Sequence, residues 1–271
     1  MFEESSIEIQ SSVELLSRDL RKAAATLSVN EARFLVDHYY QMQRDRIRSS
    51  NQMRQMAEEP HLVLEWLATQ STVLEKNIRA ALDVYSNAHP IGKRMRTVVG
   101  VGPVISAGLL AHIDIERAKT AGAVWRFAGL DPTLEWKKGQ KRPFNANLKT
   151  LCWKLGESFV KVSKNPNAVY GLIYKERKEQ EVAKNEAGDF AEQAKEKLEK
   201  YNIGKTTDAY KAYSTGKLPP AHVHGKARRY AVKMFLSHLH EIWYEHHHGE
   251  APPAPYVMAH AEHVHKLEPT F

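Results

Sequence analysis

The sequence predicts an all-α fold, with a long antiparallel, coiled-coil-like helical hairpin at the N-terminus followed by a compact helix-hairpin-helix domain. Three observations carry this expectation. Apolar residues recur at three- and four-residue spacing through most of the chain, no run alternates apolar with polar residues as a strand would, and glycines and prolines gather at a few breaks.

Hydrophobic residues at 42% and charged residues at 26% of a 271-residue chain are ordinary for one large or two small globular domains. The formal charge of +7 favours polyanionic partners. Cys152 is the single cysteine, so no intrachain disulfide forms, and a reducing cytoplasm is the simplest compartment. Its surroundings, LKTLCWKL, suit a buried small hydrophobe. The opening MFEESSIEIQ is acidic, unlike a signal peptide, and no apolar run approaches the ~18 residues of a membrane span.

The elements follow in order. Ile9, Val13, Leu16 and Leu20 predict a short amphipathic helix over residues 7–25. Asn30 reads as the N-cap of a long helix to about Glu58, whose stripe of Leu35, Tyr39, Met42, Met53 and Met56 is interrupted by Arg46 and Ser49. Pro60 ends it. Leu67, Leu74, Ile78, Leu82 and Tyr85 predict a second long helix from His61 to Ser86. The apolar seam of this pair serves either intramolecular packing or a homodimer.

His89-Pro90 and Gly92 open a compact, basic, helical portion. Within it stands TVVGVGPVISAGLL, from Thr97 to Leu110. Pro103 suits the first position of a helix, and Gly100 and Gly102 permit a tight turn around Val101. The run matches the helix-hairpin-helix pattern hydrophobic-x-Gly-hydrophobic-Gly, closed by Leu109 and Leu110. In that motif the hairpin amides face a nucleic-acid phosphate without reading bases. The flanking Lys93, Arg94 and Arg96 suit phosphate clamps; the alternative is a glycine-tightened hairpin that only packs.

A second turn, WRFAGLDPTLEW, places Gly129 near an Asp-Pro pair. Beyond it, from Lys137 to Lys164, eight basic residues meet a single acid, Glu157, and Trp136, Phe144 and Trp153 interleave the cations. Lys137, Lys138, Lys141, Arg142, Asn145, Lys149 and Lys154 are accordingly candidate nucleic-acid contacts. YKERKEQEVAKNEAGDFAEQAKEKLEK, from Tyr174, reads as a solvated helical hairpin or insertion. A closing helix begins near Gly225 with Lys226, Arg228, Arg229 and Lys233, cations that oppose the helix dipole unless an external anion meets them; the first three join the candidates.

The ordered series VVGVGPVISAGLLAHI, FAGLDP, KKGQKRPF, NPNAVYGLIYKERK and HGKARRYAVKMFLSHL resembles the C-terminal transposase domain of the DEDD-type, bridge-RNA-guided insertion-sequence transposases. The long helices from Asn30 to Ser86 stand where that family carries its coiled coil. The resemblance implies a DNA-recombination context and contact with DNA ahead of structured RNA. The family's RNase-H-like domain with four metal-binding carboxylates has no counterpart here, because the first ~90 residues read as helical. Where the family carries a serine nucleophile in a Ser-Gly context, this chain has Lys137-Lys138-Gly139.

The 14 histidines cluster late, and His260, His263 and His265 are spaced to hold a transition metal or to serve as surface or stacking groups. No cysteine or acid completes a zinc signature, so neither metal nor cofactor is expected. The expected organisation is a long-helix region over 1–88, a helix-hairpin-helix domain over 89–180, a charged insertion over 181–221, a closing helix over 222–248 and a Pro/His-rich tail over 249–271. The leading functional expectation is a non-catalytic nucleic-acid-binding protein of mobile-element or phage origin that dimerises through its N-terminal helices. The alternatives are a recombinase or nuclease completed by a partner chain, and a protein-interaction adaptor.

Overall fold

The computed structural model describes residues 12–56, 62–253, 268, 269 and 271, and every regular element among them is a helix. The fold is all-α. The backbone divides into two units: the chain up to Arg96 with Gly102–Asp114, and Thr97–Val101 with the chain from Ile115 onward.

In the first unit the N-terminal helix is shorter than its periodicity suggests, with α1 confined to Arg18–Ala23 and followed by a 3-10 turn, Ala24–Thr26. Side chains of the neighbouring helix explain the difference. Gln70 Oε1 accepts from the amides of Ser12 and Val13 at 2.8 and 3.1 Å, and Asn77 Oδ1 accepts from that of Leu16 at 3.2 Å. Amides held this way are satisfied without a helix. Ile9 and the residues before it lie outside the described ones.

Helix α2 (Val29–Gln55) starts two residues earlier than an N-cap at Asn30 would place it, with Ser28 as its N-cap. Ser28 and Glu31 form a reciprocal capping box, the Ser28 amide donating to Glu31 Oε2 at 2.7 Å and the Glu31 amide to Ser28 Oγ at 3.3 Å. Helix α3 (Leu62–Ala88) runs antiparallel to it: Val36 packs with Ile78 and Leu82, Arg46 meets Glu75, and Met53 shares a groove with Ala68 and Thr69. Arg46, which breaks the apolar stripe in sequence, lies 2.5 Å from the nearly buried Glu75 carboxylate.

Helices α4 (Pro90–Met95) and α5 (Pro103–His112) complete this unit. Val104 and Ala107 of α5 join the Val36, Ile78 and Leu82 core, and Arg33 Nε donates to the Ala111 carbonyl at 2.7 Å. Gly92 is required by close approach, because a Cβ there would lie 2.0 Å from the Ser86 carbonyl oxygen. Ile47, Trp66 and Leu67 remain exposed, so the α2–α3 pair buries only part of its apolar surface within the unit.

The second unit contains α6 (Ala121–Phe127), α7 (Ala146–Val162), α8 (Val169–Ala187), α9 (Ala191–Lys200), α10 (Asp208–Ser214) and α11 (Pro220–His248). Helix α11 packs on α8, α7 and α6. Its centre is aromatic: Phe159, Tyr170 and Phe235 have ring centroids 5.1–5.7 Å apart, and Phe271 stacks on Phe235 at 5.5 Å. Gly171 lets α8 approach α7, since a Cβ would lie 2.9 Å from Ser163 Cα. Three tyrosine hydroxyls meet α11 histidines at Nδ1: Tyr170 and His238 at 2.7 Å, Tyr174 and His224 at 2.8 Å, Tyr213 and His222 at 3.1 Å. The charged run is not solvated throughout, because Glu181 and Asn185 are buried and Asn185 bonds both the amide and the carbonyl of Leu218.

Candidate nucleic-acid interface

The loop between α6 and α7 is fixed at both ends and open in the middle. The Asn145 amide donates to the Phe127 carbonyl at 2.9 Å, closing the loop base, and Asp131 Oδ1 accepts from the Thr133 amide at 2.9 Å, turning the chain after Gly129. At the tip, Trp136 Nε1 donates to the Gln140 carbonyl at 2.8 Å and Arg142 lies over the Trp136 ring. Lys137, Lys138, Lys141 and Arg142 are all exposed on this loop, and among the described residues none pairs with a carboxylate. These four cations thus lie together on one exposed loop, which also carries Asp131 and the exposed Glu135.

Beside that loop lies a cleft of about 740 Å³ formed within the second unit by the 129–134 turn, Phe144, α7, α8 and α11. Six cations line it: Lys149, Arg177, Lys226, Arg228, Arg229 and Lys233. Three of them are engaged. Arg177 and Lys226 approach Glu181 at 2.6 and 2.8 Å, and Arg228 pairs closely with Glu157. Burial alone would raise the Glu181 carboxyl, but these two cations outweigh it and hold Glu181 below the usual carboxylate range.

Lys149, Arg229 and Lys233 differ, because among the described residues none lies within ion-pair distance of a carboxylate. The surrounding protein lowers the pKa of each by desolvation, and mutual repulsion adds to it: Arg229 and Arg142 act on Lys149, Arg228 acts on Arg229, and Arg229 acts on Lys233. The carboxylate of Asp131 partly offsets the effect at Lys233. Cations crowded until they repel one another are stabilised by an incoming anion.

The remaining candidates divide. Asn145 is the N-cap of α7, its Oδ1 accepting from the Leu148 amide at 3.0 Å, so its side chain acts on the helix rather than outward. Lys154 lies half-buried on α7. Lys93 and Arg94 are exposed on α4 in the first unit, whereas Arg96 pairs with Asp83 at 2.8 Å. Gly100 has φ +101°, and its carbonyl accepts from Ser158 Oγ at 2.6 Å while Phe159 and Val162 face its Cα. Val101 is buried. Gly102 caps α5 with open space where a side chain would stand. Packing thus occupies the Gly100 and Val101 end of the hairpin.

The cations of the closing helix do not stand at its N-terminus. α11 starts at Pro220, so Lys226, Arg228 and Arg229 lie beyond its first turn, and their crowding arises from neighbouring cations instead. Lys233 and Arg177 also line the cleft, though neither stands among the candidates read from the sequence. The signal for Lys233 was its i+4 spacing from Arg229, which sets both on one face of a helix. Among the described residues no group of three or more His, Cys, Asp or Glu is placed to hold a metal, and His260, His263 and His265 lie outside the described residues.

Residues 92–142 match the family model described as Transposase IS116/IS110/IS902 family. The chain therefore carries a transposase-related domain, whose matched segment runs from the close-packed Gly92 to Arg142 at the end of the cationic loop. No curated protein and no solved structure matches the chain. Among the described residues no helix is long and apolar enough to cross a membrane.

Proposed function

We propose that this transposase-related protein binds nucleic acid, DNA ahead of structured RNA, through the basic surface of its second unit, as a cytoplasmic, non-catalytic relative of the C-terminal domain of bridge-RNA-guided transposases. One observation carries the reading: Lys137, Lys138, Lys141 and Arg142 project together without carboxylate partners, beside a cleft holding three more such cations. Phosphates neutralise such a surface and release counterions. Lys137-Lys138-Gly139 standing where the family has its serine supports a binding rather than a cleaving role. The exposed Ile47, Trp66 and Leu67 of the long helices supply the apolar surface for a homodimer.

The test is a gel-shift series across salt with Lys137, Lys138, Lys141 and Arg142 replaced by Ala. Affinity falls on every sequence, and the slope of log affinity against log salt shallows by up to ~0.9 per lost phosphate contact. Unchanged affinity and slope refute the assignment.

A further inference from the structure

We propose that the cleft seats an unpaired nucleotide of a nucleic-acid strand, its phosphate held between Lys149, Arg229 and Lys233 and its base against the aromatic wall of Trp153 and Tyr230, so that the protein prefers single-stranded ends or loops to continuous duplex. The inference rests on the nucleic-acid reading above and adds to it which form of the polymer is selected.

The cleft has two chemistries side by side. The three cations come from two helices, Lys149 from α7 and Arg229 and Lys233 from α11, and converge without a carboxylate partner. Trp153, 52% exposed, and Tyr230 line the same space. Glu157 holds Arg228 over the Trp153 ring at 5.3 Å and Glu181 holds Arg177 over the Tyr230 ring at 4.6 Å, so an ion-paired guanidinium meets one face of each ring, while Lys149 and Lys233 rest on the Phe144 and Trp125 rings at 4.2 and 5.0 Å with no carboxylate partner. Inorganic phosphate has no use for the ring surface. A charged group joined to a flat aromatic one uses both, and base stacking on aromatic side chains is largely sequence-tolerant.

Size selects between strand and duplex. About 740 Å³ falls within the ~300–1,000 Å³ of small-ligand clefts, which suits one or two nucleotides. Duplex bases are stacked inside and reach solvent only as groove edges, so a duplex contacts the loop cations but leaves the cleft empty.

Fluorescence anisotropy at fixed salt, with a labelled single-stranded oligonucleotide and the blunt duplex of the same sequence, tests this on the full chain. In Lys149→Met/Arg229→Gln, affinity for the single strand falls about tenfold or more while duplex affinity changes less than about threefold. Lys137→Ala/Lys138→Ala weakens both alike. Circular dichroism confirms the fold of each variant, and photocrosslinking of a 5-bromouridine single strand to the wild-type protein, mapped by mass spectrometry, locates the base at Trp153 or Tyr230 without recourse to variants. Equal loss on both ligands, loss on neither, or crosslinks confined to residues 135–142 overturns the proposal while leaving nucleic-acid binding intact. Displacement of the oligonucleotide by micromolar adenosine triphosphate overturns it in favour of a free-nucleotide site. Absence of binding to either polymer by the wild type defeats the underlying assignment as well.

Discussion

The hydroxyl of Tyr174 lies 2.8 Å from Nδ1 of His224, joining α8 to α11, and Tyr213 of α10 and His222 repeat the pairing at 3.1 Å. Burial is the main cause that lowers both histidines from their usual 6.5. Arg228 adds to it at His224 and Arg229 at His222, while the carboxylates of Glu157 and Glu181 act in the opposite sense.

The folded state therefore resists protons that the unfolded chain accepts. The stabilising contribution is complete above pH 6.5 and is lost as pH falls below it toward the depressed folded values. The thermal midpoint is expected to be level from pH 8 to 7 and to decline between pH 6.5 and 5, before carboxylate titration dominates. His222→Gln/His224→Gln makes that decline shallower without abolishing it, because burial also lowers His112 and His240. A double variant that keeps the full wild-type slope would show that these histidines are not the titrating groups.

Two glycines set helix contacts through space rather than through φ. A Cβ at Gly92 would lie 2.0 Å from the Ser86 carbonyl oxygen and 2.8 Å from Leu110 Cδ1; at Gly171 it would lie 2.9 Å from Ser163 Cα. Backbone cannot yield as a flexible side chain does. Gly171→Ala is expected to cost about 1–3 kcal/mol and Gly92→Ala at least as much, read by chemical denaturation. Gly122→Ala is the control, since the nearest atom there is the Thr120 side chain at 3.7 Å.

Helical periodicity was enough to read the all-α class and both long helices, because their stabilisation is local in register. The glycine-proline turn before α5 was legible for the same reason. What the sequence hid depends on partners far away along the chain. The amides of residues 12, 13 and 16 go to Gln70 and Asn77, and Pro220, which falls inside the expected 181–221 insertion, is the first residue of α11. The cationic loop was visible as composition, but the cleft was not, since only packing of α7 against α11 brings Lys149 to Arg229 and Lys233.

Arg46 is a further case where a residue that breaks an apolar stripe has a tertiary purpose. Its guanidinium makes two contacts with the Glu75 carboxylate, at 2.5 and 3.2 Å, and Glu75 is 8% exposed. Arg46→Met strands a nearly buried carboxylate and is expected to cost about 2–4 kcal/mol, somewhat below the range for fully buried pairs because Arg46 keeps some solvent contact. Arg46→Met/Glu75→Leu recovers part of that loss, because both charges are removed while the half-buried Tyr39 hydroxyl loses Glu75 as its hydrogen-bond partner. Additive destabilisation in the double variant would mean that the two side chains act independently.

Cys152 lies on the inner face of α7, 1% exposed, where burial pushes its thiol up to about 12. At pH 8 the thiolate fraction is then about one in ten thousand, too small for a nucleophile and unreactive toward disulfide reagents. Ellman's reagent is expected to titrate no thiol in the folded protein and one per chain in guanidinium. Cys152→Ala, which keeps the site apolar, costs little beyond the lost volume, whereas Cys152→Asp places a carboxylate in that apolar packing and unfolds the second unit. Rapid labelling under native conditions would instead show that α7 separates from α11 on the assay timescale, and with it that the cleft wall bearing Lys149 is not held in place.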